Sequence, residues 1–218
     1  MNMSCTINSN LMQKVLIPVP SITPVPDLAW YKLNNNISNY KVYNIPTSDA
    51  SSNGTAIYVA GHLAGENCYS FSGGPSSNWI NLPPLLRRTT MSFSCWINVA
   101  TFSVFSRVFD YGGTFRLHIM NPTTLVFNDV YTINYTTGFQ NVWKHIVFTV
   151  NGLTLTFYEN GVVKLVTTMA SSLSPNSSIG YMAHSYSLGD ANPGCKYADF
   201  RIYGRVISAS EITTLYNN

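Results

Sequence analysis

The segment Trp143–Met169, WKHIVFTVNGLTLTFYENGVVKLVTTM, decides the fold class of this chain. In its first part the apolar residues Ile146, Phe148 and Val150 recur at every second position, opposite polar residues such as His145. A period of two residues places them on one face of a β-strand. Two further segments of the same kind follow, so the stretch predicts three consecutive strands.

Two Asn-Gly pairs, Asn151-Gly152 and Asn160-Gly161, separate these strands. A two-residue type I′ turn needs positive φ at both central residues, which Asn and Gly tolerate. The segment therefore predicts a three-stranded antiparallel meander with a type I′ turn at each Asn-Gly pair.

The composition limits the functions that fit the chain. Charged residues make up 10% of the 218 residues, against about 25% in an average globular domain, so much of the surface must be neutral and polar. The net charge is +3, and the basic residues are scattered apart from Arg87-Arg88. Nucleic-acid binding needs a clustered basic surface, so we expect no nucleic-acid partner.

No apolar run reaches the roughly 18 residues that a membrane-spanning helix needs, so we expect no membrane span. The N-terminal region also lacks the features of a signal peptide, because Pro18 interrupts its short apolar run 15–17. We therefore expect a protein of a virus particle or of an extracellular surface that has no recognisable signal peptide.

Residues 1–27 differ in character from the rest of the chain. Four prolines punctuate the segment VLIPVPSITPVPD at 15–27, which favours an extended conformation. The sequence therefore predicts an N-terminal arm at 1–27 and one domain at 28–218. The arm is expected to contact either its own domain or another protein chain through Val15, Leu16, Ile17, Val19, Ile22 and Val25.

The last residues predict a short helix. Ser208 as N-cap and Glu211 three residues later form a capping box, while Ile207 and Ile212 form a hydrophobic staple. Many short strands followed by one helix indicate an antiparallel sandwich.

Several segments resemble, in order, the motifs of one family. LAWYKL at 28–33 resembles its opening strand, and MSFSCWINV at 91–99 resembles its Phe-Ser-hydrophobic-x-Trp strand. KYADFRIY at 196–203 resembles its closing strand. Residues 28–216 are thus similar to the laminin-G-like jelly-roll branch of the concanavalin A-like lectin/glucanase superfamily.

The resemblance implies an all-β fold, namely an antiparallel two-sheet jelly-roll sandwich with a short C-terminal helix. Retaining glucanases of this superfamily use two carboxylates on one strand, as nucleophile and as general acid/base. The nine acidic residues of this chain are isolated in sequence. We therefore expect no catalytic residues and no enzyme activity.

The resemblance also implies a place for calcium at the rim of the sandwich, where the matching carboxylates are Asp49 and Asp199. Calcium takes six to eight oxygen ligands, and two carboxylates supply few of them. The alternative is structural: Asp199 would accept hydrogen bonds from loop amides, and Asp49 would form an Asx-turn. We therefore expect no cofactor, and a calcium ion held by Asp49 and Asp199 is the alternative.

A glycan-binding site would need exposed aromatic side chains near turns. Seven residues near the predicted turns meet this description: Trp79, Tyr111, Tyr131, Tyr135, Tyr181, His184 and Tyr186. For each of them the alternative is a place at the edge of the core. By contrast, Trp30, Trp96 and Trp143 fall at strand positions and are expected in the core.

The remaining metal-ligating residue types show no metal-binding spacing. His118 and His145 fall opposite the apolar residues of their strands and are expected at the surface. The four cysteines have no Cys-x-x-Cys spacing, which argues against a zinc site. We expect them to be small buried thiols, with disulfides as the alternative.

Two functions fit these observations. The first is a non-catalytic surface or assembly protein with a lectin-like domain, such as a component of a virus particle that is anchored through its N-terminal arm. The alternative is a glycan-binding lectin module for cell-surface recognition. The two are compatible, since a protein at the surface of a particle can also bind sugar.

Overall fold

The computed structural model describes residues 23–40, 49–73, 78–101, 106–113, 115–128, 131–134, 138–174, 177–184 and 193–218. Five of the six predicted arm residues, Val15, Leu16, Ile17, Val19 and Ile22, lie outside these ranges, as do Tyr135, Tyr186 and Cys5. The sixth, Val25, is exposed.

The described residues form fifteen strands and one helix. The strands are β1 Ala29–Tyr31, β2 Ser51–Asn53, β3 Tyr58–Ala60, β4 Asn67–Ser72, β5 Trp79–Leu86, β6 Thr90–Thr101, β7 Ser106–Tyr111, β8 Phe115–Asn121, β9 Thr124–Phe127, β10 Tyr131–Asn134, β11 Lys144–Asn151, β12 Thr154–Glu159, β13 Val162–Thr168, β14 Ser177–Met182 and β15 Gly194–Tyr203. The helix is α1 Ala209–Asn217. Among the described residues, no helix is both long and apolar enough to cross a membrane.

The strands build two sheets that pack face to face. The eight-stranded sheet has the order β13-β12-β11-β6-β15-β4-β3, with β1 also paired to β15. The seven-stranded sheet has the order β10-β9-β8-β7-β14-β5-β2. Between them lies a core rich in fully buried aromatic rings, which include Phe93, Phe109, Phe115, Phe127, Phe148, Phe157 and Phe200. The predicted two-sheet jelly-roll sandwich is confirmed.

The predicted meander forms one end of the eight-stranded sheet. Its second turn is type I′, because Asn160 and Gly161 have φ values of 50° and 77°. The first turn differs from the prediction. Asn151 is the last paired residue of β11, so the turn centres on Gly152 and Leu153, of which only Gly152 has positive φ (58°). This pattern is that of a type II′ turn, which needs Gly at its first central position only.

Helix α1 lies over the outer face of the eight-stranded sheet. Its predicted capping box is confirmed, since the Glu211 backbone donates to the Ser208 side chain and the Glu211 carboxylate accepts from the Ser208 backbone. The predicted staple residues, Ile207 and Ile212, are both buried. They belong to a second small core with Val147, Tyr203 and Leu215.

The expectation that His118 and His145 are surface residues is wrong, because each is only 1% exposed. Both lie on the outer face of a sheet, as the alternation predicts, but those parts of the outer faces are covered. The His145 ring lies 5.2 Å from Trp96 and 6.2 Å from Tyr216 of α1. The His118 Nδ1 atom accepts a hydrogen bond from the Arg107 guanidinium at 2.7 Å.

Residues 23–27 lie on the domain. The Pro24 carbonyl accepts hydrogen bonds from the Arg201 guanidinium at 3.3 Å and the Tyr203 hydroxyl at 3.1 Å. The Asp27 carboxylate accepts from the Gly204 amide at 2.7 Å. The chain is therefore fixed to β15 and to the loop after it before the first strand begins.

Three of the four cysteines, Cys68, Cys95 and Cys195, are free and buried. This agrees with the prediction of small buried thiols for the described cysteines. Burial raises the pKa of the Cys95 thiol well above its usual range, so this thiol stays protonated and unreactive at neutral pH.

Candidate functional site

Strands β5 and β14 are neighbours in the seven-stranded sheet and bring three of the predicted aromatic residues together. The rings of Trp79 and His184 stack with centroids 4.1 Å apart and 13° between their planes. Tyr181 meets the His184 ring edge-on at 5.5 Å. We call Trp79, Tyr181 and His184 the aromatic stack.

Alternation along the two strands explains why Trp79 and Tyr181 face outward. His184 follows the end of β14 and, contrary to the expectation of an exposed side chain, is buried at 6% exposure against the Trp79 ring. Ile80 of β5 and Met182 of β14 are fully buried in the core. Their neighbours Trp79, Asn81 and Tyr181 must therefore point to the opposite, outer face of the sheet. All three of these outward side chains are partly exposed.

Polar side chains extend the aromatic stack toward the edge strand β2. Trp79 Nε1 donates to Asn81 Oδ1 at 3.0 Å. Asn81 Nδ2 in turn donates to the Ser51 hydroxyl at 3.3 Å. These hydrogen bonds fix the indole and the amide relative to each other, so the outer face presents a preorganised ring beside donors and acceptors.

Charged side chains continue the same row in the other direction. In the register of the sheet, Asp110 of β7 pairs with Tyr181, and Arg116 of β8 pairs with Asp110. Asp110 is fully buried, accepts from the Gly113 amide at 2.8 Å, and lies 3.9 Å from the Arg107 guanidinium. Arg116 is partly exposed. The row thus has an ion-paired, buried centre and partly exposed groups on either side.

The other predicted aromatic residues do not join the aromatic stack. Tyr111 points into the core, where its ring lies against Gly180, and it is 1% exposed. Tyr131 lies on β10 at the far edge of the sheet, and its hydroxyl accepts from the Ala170 amide at 2.8 Å. Burial removes Tyr111 as a ligand contact, and distance separates Tyr131 from the stack.

The expectation that three tryptophans lie in the core is wrong, because Trp30, Trp96 and Trp143 are each only half-buried. Trp30 and Trp96 alternate with core residues on β1 and β6, so both point to the outer face of the eight-stranded sheet. His62 stacks on Trp96 at 4.3 Å and lies 5.7 Å from Trp143. The alternation around Trp30 and Trp96 was visible in the sequence, whereas no local signal marked His62.

The two carboxylates expected at a calcium site are engaged elsewhere. Asp199 accepts from Trp30 Nε1 at 2.6 Å and forms two contacts with Arg201, at 2.9 and 2.8 Å. Asp49 accepts from the Asn39 amide at 2.9 Å. In the described part of the chain, no three His, Cys, Asp or Glu side chains are grouped to hold a metal. Because Asp199 is neutralised by a guanidinium, these residues do not fit a calcium centre.

Five described carboxylates form ion pairs with basic side chains. The pairs are Asp27–Arg88, Asp110–Arg107, Glu159–Lys144, Asp199–Arg201 and Glu211–Arg205. A neighbouring cation favours the ionised form of a carboxylate. Hydrogen bonds from Arg205 lower the pKa of Glu211 to about 2. The Glu211 carboxyl is therefore poorly suited to donate a proton as a general acid.

Residues 72–213, well over half of the chain, match the family model described as the concanavalin A-like lectin/glucanases superfamily. The chain belongs to this superfamily, in agreement with the sequence resemblance and the observed jelly roll. A comparison with curated protein sequences finds no significant match.

Solved structures share the fold at low sequence identity. Domain 4 of the GH43 extracellular arabinanase AbnA from Geobacillus stearothermophilus, in complex with arabinotriose, has a TM-score of 0.71 and 17% identity, covering 88% of this chain and 100% of that chain. The binding domain of botulinum neurotoxin DC, in complex with SialylT, has a TM-score of 0.65 and 15% identity, covering 90% of this chain and 52% of that chain. The chain thus spans about half the length of that neurotoxin domain. These likenesses show the fold alone.

Proposed function

We propose that this protein is a non-catalytic carbohydrate-binding domain and that the aromatic stack is part of its binding face. The observation that carries the proposal is the outward-facing Trp79 ring, fixed by Asn81 and by His184. A rigid aromatic ring offers an apolar surface to the C–H face of a sugar, at little cost in conformational entropy. Adjacent amide and hydroxyl groups both donate and accept hydrogen bonds, as sugar hydroxyls require.

The form of the face favours a chain of sugar units over a single unit. The exposed part of the row, from Ser51 through Asn81 to Tyr181, crosses three neighbouring strands before it reaches the buried Asp110. Neighbouring strands are about 4.8 Å apart, so this part spans about 10 Å, which is enough for about two sugar rings. Relatives with this fold were solved with arabinotriose and with SialylT, which supports a carbohydrate ligand for this fold.

Glycan-array binding followed by calorimetry with the best-bound glycan tests the proposal. Trp79→Ala and Asn81→Ala should each weaken binding about tenfold or more, because each removes a direct contact worth about 1.4 kcal/mol. Tyr131→Phe is the matched control, since Tyr131 is an aromatic residue of the same sheet far from the aromatic stack. A wild-type protein that binds no glycan, or a Trp79→Ala variant that binds as wild type does, would refute the proposal. Binding unchanged by a chelator is also expected, because the described carboxylates do not fit calcium.

The first function predicted from the sequence, a surface or assembly protein such as a virion component, stays a prediction. One observation bears on it: residues 23–27 are fixed to the domain, so the preceding arm starts from a defined place on its surface. A carbohydrate-binding domain tethered to a particle through residues 1–22 would combine both predicted functions.

A further inference from the structure

We infer a second carbohydrate site in a cleft on the outer face of the eight-stranded sheet, suited to a single neutral sugar unit. This cleft is separate from the aromatic stack, which lies on the other sheet of the sandwich. It has a volume of about 200 Å³. Pockets for drug-sized ligands measure roughly 300–1,000 Å³, so the cleft has room for one ring and its substituents.

The floor of the cleft is a closed hydrogen-bonded network. Asp199 accepts from the Trp30 indole at 2.6 Å and binds the Arg201 guanidinium through both carboxylate oxygens. The guanidinium also stacks over the Trp30 ring at 4.4 Å. Charge is balanced within this network, and every member is held by another, so the floor is rigid and electrically neutral.

Polar side chains with spare hydrogen-bonding capacity form the walls. Lys32 is exposed, and its ammonium lies 5.0 Å from the Trp30 ring and 4.8 Å from the Tyr40 ring. Glu66 is exposed on another wall. Within the described part of the chain, neither Lys32 nor Glu66 forms an ion pair, in contrast to Asp199 and Arg201 on the floor.

Two further side chains line the cleft: the imidazole of His62, from the loop before β4, and the amide of Asn34, which follows β1. His62 stacks on Trp96, and its Nδ1 atom is buried without a hydrogen-bond partner among the described residues. Burial lowers the pKa of His62 below its ordinary value, so the ring is neutral at pH 7 and one nitrogen is an acceptor. Asn34 accepts through its carbonyl from the Asn67 amide, which leaves the Asn34 NH₂ group as a donor to the cleft.

This combination selects a class of ligand. The walls supply donors, from Lys32 and Asn34, and acceptors, from the Glu66 carboxylate, and the formal charges of Lys32 and Glu66 cancel. Hydroxyl groups donate and accept at once, so a polyhydroxylated neutral ring satisfies both sets. A polyanion would be repelled by the Glu66 carboxylate, and Lys32 is the only unpaired cation among the described wall residues that could bind it. The cleft therefore disfavours sulfated glycans.

Two sites on opposite faces of the sandwich would make one chain bivalent. This consequence, unlike the cleft itself, rests on the proposed function of the aromatic stack. A bivalent domain bridges two glycan-bearing surfaces, and linked sites bind multivalent surfaces far more tightly than single ones.

Saturation-transfer NMR with the methyl glycosides of arabinose, galactose, glucose and mannose tests the cleft on the full chain. We expect a signal from at least one of these sugars, reduced about tenfold or more in affinity by Lys32→Ala and by Glu66→Gln. Lys164→Ala, which removes an exposed lysine of β13, is the matched control and should bind as wild type does. Absence of signal from all four sugars, equal binding by the Lys32→Ala variant, or displacement of the bound sugar by heparin would each overturn the inference.

The Trp79→Ala variant separates this inference from the proposed function. Monosaccharide binding that survives Trp79→Ala but not Lys32→Ala supports the cleft, whatever the aromatic stack does. Loss of all monosaccharide and oligosaccharide binding in Trp79→Ala alone would support the stack and refute the cleft. Agglutination of glycan-coated beads by wild type, abolished by either variant, would establish bivalence.

Discussion

At the scale of single residues, the backbone conformation of Asp199 positions its carboxylate for the hydrogen-bonded network with Arg201 and Trp30. Asp199 has a φ of 54°, a left-handed conformation that Asp and Asn tolerate better than most residues. It interrupts the register between β15 and β6. This irregularity turns the carboxylate toward Trp30 and Arg201, where it neutralises a guanidinium that is largely buried.

Asp199→Asn should lower the free energy of unfolding by about 2–4 kcal/mol, because the Arg201 charge would lose its partner while remaining largely buried. Asn also tolerates the left-handed backbone conformation of residue 199, so the change in the free energy of unfolding reflects the loss of the carboxylate charge. Urea denaturation at pH 7 measures it. Glu66→Gln, which neutralises an exposed carboxylate outside any described ion pair, is the control. Equal stability of the two variants would contradict this account.

His145 should make the domain less stable in mild acid. Burial, with help from Arg201, lowers the pKa of His145 from 6.5 to about 3. Below pH 6.5 His145 becomes protonated in the unfolded chain but stays neutral in the folded chain. The free energy of unfolding therefore decreases as the pH falls from about 6.5 to about 3. We expect a loss of about 1 kcal/mol between pH 7.5 and pH 5.5.

His145→Gln should remove most of that loss, as measured by urea denaturation at the two pH values. Gln can keep a hydrogen bond to Ser94, which His145 makes at 2.9 Å in the wild type. His62→Gln is the comparison. Because His62 is less buried than His145, it should account for a smaller part of the pH-dependent loss of stability. An unchanged pH dependence in the His145→Gln variant would refute the assignment.

At the scale of secondary-structure elements, local sequence signals placed the strands and the helix well. The capping box of α1 was readable because it depends on two residues three positions apart. The type II′ turn at Gly152 was misread, since the choice between two turn types depends on where pairing stops. That choice is set by the register of β11 against β12, which the turn residues alone do not fix.

Ser208→Ala should destabilise the domain by about 1 kcal/mol, because the Glu211 amide loses its capping acceptor. Glu211→Gln is a matched comparison: Gln can still complete the capping box, and only the exposed ion pair with Arg205 is lost. Such exposed pairs contribute about 0.2–1 kcal/mol. Thermal or urea unfolding should therefore rank Ser208→Ala as the more damaging change, and the reverse order would contradict the capping argument.

Gly180→Ala should destabilise the contact between β14 and β7 by about 1–3 kcal/mol. A Cβ atom at Gly180 would lie 2.3 Å from the Tyr111 ring, and this ring is enclosed by the core. The φ of Gly180 is not positive, so the cost is steric. Adding Tyr111→Leu should recover part of the loss in a double-mutant cycle; additive losses would show that the two residues do not interact.

At the scale of the whole molecule, the described chain is a two-sheet sandwich with different coverings on its two outer faces. Helix α1 and residues 23–27 lie over the eight-stranded sheet and leave the cleft beside them. The seven-stranded sheet carries the aromatic stack. Each candidate site therefore belongs to one sheet, and each can be altered without touching the other.

Compared with deletion of residues 1–22, deletion of residues 1–27 should further destabilise the domain. The second deletion removes the Pro24 carbonyl that Arg201 and Tyr203 contact, and the Asp27 carboxylate that Gly204 contacts. Circular dichroism melts compare the two. If the arm mediates assembly, deletion of 1–22 should also abolish incorporation into larger particles; equal stability of the two deletions would show that residues 23–27 are dispensable.

The sequence by itself determined the strands, the positions of the two turns in the meander, the helix with its cap, and the class of fold. These features depend on alternation and on residues a few positions apart. Only the tertiary structure decided which outward-facing side chains are covered, as it did for His118 and His145. It also decided that Trp79 and His184, far apart in sequence, stack at 4.1 Å, and that Trp30 meets Asp199. Alternation assigns a residue to a face of a sheet, but what lies over that face depends on contacts between distant segments, which no local pattern encodes.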